Sequence, residues 1–162
     1  MTAQRTLLTW GVIWLLVSMA GGMILGPQVK PTRDATRAHL VNAFEHLSEQ
    51  DSSAAMEELR QGLDLDITFG HLVAIHSHMA CMAFTALLIG LLAPFLGLSN
   101  GWKSALAWAL IAGSIIHEVG VFAEDYHLAA GISLAATGAS LITLSVVTAF
   151  VGIVRFVGPA RS

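Results

Sequence analysis

The stretch HLVAIHSHMACMAF places three histidines, His71, His76 and His78, within eight positions at the head of a long apolar run. A neutral imidazole is a ligand for iron, copper and zinc, and its charge changes near neutral pH. Each helical residue adds about 100°, so His71 and His78 share a face while His76 is turned about 200° from His78. Imidazoles so opposed cannot chelate one ion on a regular helix, where the i, i+4 spacing is needed. They serve two cavities, one on each side. Met79, Cys81 and Met82 are soft ligands by chemistry, although methionine on an apolar helix reads first as packing. Further along, HEVGVFAEDYH adds His117, Glu118 and His127.

The elements that position these residues are read from composition. Of 162 residues, 55% are hydrophobic and 12% charged, and the charges avoid four apolar segments at about 7–25, 69–96, 104–123 and 128–157. A hydrocarbon core of roughly 30 Å needs about 20 apolar residues per helical span. The expectation is an all-α, integral membrane four-helix bundle in which residues 1–162 form a single transmembrane domain. The first segment reads as a retained span, because its apolar run is too long for a signal peptide and no clean cleavage site follows. Arg5, Lys103, Arg155 and Arg161 fall on one side, and all eleven acids on the other. The positive-inside rule then predicts both termini in the cytoplasm and a multi-pass protein of the cell's inner membrane. No basic surface points to nucleic acid. The lone Cys81 excludes an internal disulfide.

Between the first two spans, the loop from Pro27 to Asp66 is too long to be structureless. Pro27 and Pro31 are expected to end the first helix. Leu40, Val41, Phe44 and Leu47 recur at helical spacing within 36–47. A second short helix is expected from Ser52 to Arg60, capped by Ser52 or Ser53 and stopped by Gly62. The prediction is an amphipathic helical cap over 32–65 on the outer surface, with His39 and His46 solvated. Small residues at intervals of four, Ser18, Gly22 and Gly26, and the stripe Gly131, Ala135, Gly138 and Ala139, read as helix packing within the bundle, with an oligomer face as the alternative.

With this topology, a rise of about 1.5 Å per residue brings His71, His76, His78, His117 and His127 to one outer layer, with Glu118, Glu124, Asp125 and Tyr126 beside them. Ionisable groups at membrane depth are costly and face a cavity, a partner or a cofactor. Five histidines at one level predict a metal or haem site.

The segment IHSHMACMAF resembles the His-x-His helices of the haem-copper oxidase superfamily and of small four-helix membrane proteins related to it. The resemblance implies low-spin haem b held by two histidines, with His76 and His78 matching the paired ligands and His71 beside them. It implies a copper-ligating place for His117. Subunit I of those oxidases has twelve helices in three arcs of four. One four-helix arc therefore implies a homotrimer, with each haem between protomers and a redox partner on the outer side.

The leading expectation is a bis-histidine haem protein of electron transfer or redox and gas chemistry. Turnover as an oxidoreductase is left open. Two alternatives use the same layer. A zinc-dependent membrane hydrolase would draw on His76 or His78, His117, His127 and Glu118, and a copper- or zinc-binding membrane protein would add the soft ligands.

Overall fold

The computed structural model describes residues 2–124 and 126–157. Asp125 and Arg161, assigned above to the outer layer and the cytoplasmic side, lie outside the described residues. The chain runs as α1 (Ala3–Leu25), α2 (Val29–Ser48), α3 (Ser52–Leu92), α4 (Asn100–Ala123) and α5 (Leu128–Val157), with 3-10 turns at Gly26–Gln28 and Ala93–Phe95. Among the described residues there is no strand. Four helical stretches are long and apolar enough to cross a membrane: Ala3–Ser48, Ser52–Phe95, Asn100–Ala123 and Leu128–Val157. This is the expected all-α, four-span architecture, consistent with a multi-pass membrane protein.

The expected outer cap over 32–65 takes another form. α1 does end just ahead of Pro27, at Leu25, but Pro31 breaks nothing and the chain is helical again from Val29. Pro27 sits in the 3-10 turn and Pro31 in the first turn of α2, where an absent N–H deprives no helical carbonyl. Gly62 stops nothing either, because α3 runs through it for 41 residues. A Cβ at Gly62 would meet the His39 Cβ at 3.0 Å, so the glycine marks a close approach of α2 to α3. At about 1.5 Å per residue, α3 is about 60 Å long, twice a hydrocarbon core. Its part from about Phe69 is apolar and by itself long enough for a span, whereas the part before it carries Glu57, Glu58, Asp64 and Asp66.

Two compact units divide the chain: residues 20–76, and residues up to Met19 together with those from Ser77 onward. The first is a helical hairpin whose reversal is a three-residue turn. Gln50 adopts φ 62°, the left-handed conformation that closes it. The N-cap of α3 is Asp51, one position before the expected serines, accepting from the Ala54 N–H at 3.0 Å and the Ser53 hydroxyl at 2.8 Å. Those bonds hold its carboxyl below the usual range. His39, expected to be solvated, is partly buried and meets Glu58 Oε2 at 2.8 Å, to which Asn42 Nδ2 also donates at 3.4 Å.

The second unit carries the apolar core, in which Leu7, Ala86 and Leu110 are fully buried and Leu106, Ala107 and Ile142 nearly so. α4 begins at the N-cap Ser99, whose Oγ accepts from the Trp102 N–H. The stripe of small residues on α5 packs against α4, the reading in which it serves the bundle itself. A Cβ at Gly138 would stand 2.6 Å from the Gly113 carbonyl oxygen and 2.7 Å from the His117 Cα; one at Gly131 would stand 2.5 Å from the Glu124 nitrogen. The two backbones therefore touch directly, and this contact fixes the height of His117.

Candidate functional site

His117 sits where α4 meets Gly138 of α5 without intervening side chains. From there its Nδ1 reaches the Ala135 carbonyl oxygen at 3.0 Å, and its Nε2 reaches Nδ1 of His78 on α3 at 3.3 Å. The two rings are tilted by 46°, with centroids 5.0 Å apart, and both are half-buried. His76 meets the other helix of its own unit. A Cβ at Gly22 would stand 2.9 Å from the His76 Cε1, so the ring lies on the α1 backbone where two consecutive glycines leave room. His71 is half-buried.

Glu118 follows His117 and is 8% exposed, with neither carboxyl oxygen hydrogen-bonded among the described residues. It lies on the buried face of α4 with Leu110 and Ser114. His127 is exposed, ahead of α5, and its backbone carbonyl accepts from the Gly131 N–H at 2.8 Å. Its ring does not join the pair. Among the described residues no three His, Cys, Asp or Glu side chains converge as a metal-holding group. The expected layer is thus resolved into a hydrogen-bonded pair, His78 with His117, a separate His76 on glycine, and a buried carboxyl. No family model, curated protein or solved structure matches the chain.

The chemistry of the pair follows from what each atom can do. A carbonyl oxygen only accepts, so the proton of a neutral His117 is on Nδ1 and its Nε2 is an acceptor. Nδ1 of a neutral His78 must then donate to it, which leaves His78 Nε2 with a free lone pair. Metal-ligating histidines ordinarily have their second nitrogen bound in this way, which fixes tautomer and ring orientation. His78 therefore fits one axial position of a haem. His117 does not, since both its nitrogens are engaged. The pair also cannot bracket an iron, because two axial nitrogens at about 2 Å each would stand farther apart than 3.3 Å and would not bond one another.

The sequence does not announce the two seats. The Ala135 carbonyl is a backbone atom, signalled only by the small residues that let α5 come close. Gly22 signalled packing and proves, with Gly21 before it, to be the floor beneath an imidazole. Trp10 and Trp14 stack with centroids 4.5 Å apart, and their buried indole N–H groups have no partner among the described residues.

Proposed function

We propose that this chain is a membrane haem b protein of electron transfer or redox chemistry, with His78 and His76 each supplying one axial nitrogen. The observation that carries this reading is the His78–His117–Ala135 line, which prepares one nitrogen of His78 as a ligand and leaves His117 as its positioning residue. The one histidine in contact with His78 among the described residues, His117, has both its nitrogens engaged. The second ligand is then a histidine of another copy, and a homotrimer is the assembly we favour from the resemblance to the haem-copper oxidases. A bound b-type haem supplies a one-electron iron couple whose potential follows its axial ligands and burial. The chain's own contribution is to hold the imidazole plane, exclude water with apolar spans, and keep the ligand tautomer constant. Both termini are assigned to the cytoplasm, the histidines to the outer leaflet, and a redox partner to the outer side. The zinc alternative needs three side chains on one ion. The geometry gathers two histidines, one of them already engaged at both nitrogens, so haem is the better supported reading.

The test is the absorption spectrum of the purified protein. Bis-histidine haem gives a sharp Soret band with resolved α and β bands on reduction. His78→Ala should abolish it, and His117→Leu should keep haem but shift its potential. A normal six-coordinate spectrum in His78→Ala would overturn the ligand assignment. A monomer by mass that binds haem at full stoichiometry would overturn the shared site.

A further inference from the structure

The helical hairpin of residues 20–76 is acidic, with eight carboxylates against four Lys and Arg between Pro27 and Asp66. Two of those four cations are already paired. Lys30 contacts Asp34 at 2.6 Å, and Arg60 contacts Glu57 and Asp64, each at 2.7 Å. Arg33 and Arg37 form no ion pair or hydrogen bond among the described residues, and both line the same groove of about 270 Å³ between α2 and α3. Thr32, Thr36, Asp66 and Phe69 line it too. The Thr36 hydroxyl is buried without a partner among the described residues. Asp66 lines the groove with the arginines and makes no ion pair among the described residues, so the groove has a net charge of one positive.

Its height matters as much as its charge. Phe69 opens the apolar part of α3. Arg33 is eight residues beyond Leu25, the end of α1, or about 12 Å along a helix, and its side chain can reach several ångströms back toward the membrane. With the apolar part of α3 in a bilayer, the groove floor would meet the edge of the hydrocarbon and its guanidiniums the level of lipid phosphates. Unpaired guanidinium matches phosphate oxygens bidentately, and basic recesses between membrane helices are suited to anionic headgroups.

We propose that this groove binds the phosphate of an anionic phospholipid, with Arg33 and Arg37 as its two anchors. The assignment is independent of the haem reading. It gives an acid-rich hairpin, which an anionic membrane would repel, a specific point of attachment.

The full chain in nanodiscs of mixed phosphatidylcholine and phosphatidylglycerol tests it, with lipid retained by the protein read by native mass spectrometry. One basic residue near a membrane surface is worth about a fivefold preference, so two opposed by one acid should enrich phosphatidylglycerol by roughly fivefold. Enrichment should vanish in Arg33→Gln/Arg37→Gln, survive in Arg33→Lys/Arg37→Lys, rise in Asp66→Asn and remain in Arg60→Gln. Unchanged circular dichroism in the double glutamine variant separates lost binding from lost folding. The proposal fails if the wild type shows no enrichment, or if Arg60→Gln loses as much as the double variant, since the attraction would then be diffuse. Release of the lipid by millimolar inorganic phosphate would also overturn the lipid assignment, in favour of a soluble oxyanion.

Discussion

Adding one methyl group at Gly138 should disturb the histidine pair although residue 138 has no side chain in it. The new Cβ would stand 2.7 Å from the His117 Cα, 0.7 Å short of the 3.4 Å at which ordinary contact begins, and closer still to the His117 nitrogen; the obstacle is backbone that no rotamer can clear. α5 must move off α4 by at least that amount. The bond from His117 Nδ1 to the Ala135 carbonyl, now 3.0 Å, would stretch to about 3.7 Å or more, beyond hydrogen-bonding reach. Overpacking costs roughly 1–3 kcal/mol and an orphaned buried partner about 1–3 more, so Gly138→Ala should destabilise the bundle by roughly 2–6 kcal/mol. Two measurements on the protein in detergent check the linkage. Unfolding followed by circular dichroism reads the stability, and nitrogen chemical shifts of labelled histidine read the tautomers. The wild type should show one His117 tautomer protonated at Nδ1, and the variant a mixture. A variant that is as stable as wild type with the same histidine shifts would refute the claim that glycine contact sets the pair.

Gly22→Ala should displace the His76 ring, whose Cε1 would lie 2.9 Å from the new Cβ, whereas Gly26→Ala meets nothing within 4 Å; histidine resonances should respond to the first substitution alone. Gln50→Gly should stabilise the hairpin by up to about 1 kcal/mol, because glycine adopts φ 62° without the clash of a Cβ; a lower unfolding midpoint would contradict that. The Glu58 carboxyl is held below its ordinary 4.5, chiefly by its hydrogen bond to His39. A depressed carboxylate stabilises the fold fully above the unfolded value and loses that contribution as pH falls through the folded one. The hairpin should therefore become more sensitive to proteolysis below about pH 4.5, while His39→Ala should be more sensitive already at pH 7 and change less on acidification; parallel profiles would refute the pairing.

Span number and helical class were legible because a bilayer imposes a length on apolar runs, and α4 and α5 follow the expected segments closely. Helical angle gives His76 and His78 different neighbours, and their contacts differ: Gly22 for His76 in one unit, His117 for His78 in the other. Between the first two spans, the break ahead of Pro27 and the helix start at Ser52 follow the expectation, whereas Pro31 and Gly62 do not act as punctuation. Position within the first turn makes a proline harmless to a helix, and a crossing neighbour makes a glycine useful inside one. Neither circumstance is visible without knowing which helix lies alongside. For the same reason His39 was assigned to solvent, since Glu58, nineteen residues away, faces it only once α3 has begun at Ser52. The His117 seat was hidden because its partner is a carbonyl that every residue possesses.

That carbonyl has one more consequence. An amide oxygen receives a hydrogen bond but has no proton to pass on, so the line from His78 through His117 is closed where it reaches α5. Proton traffic cannot continue along it into that helix. Along this line a proton enters or leaves the pair on the side of His78 Nε2, so the pair is a blind alley for protons at its α5 end.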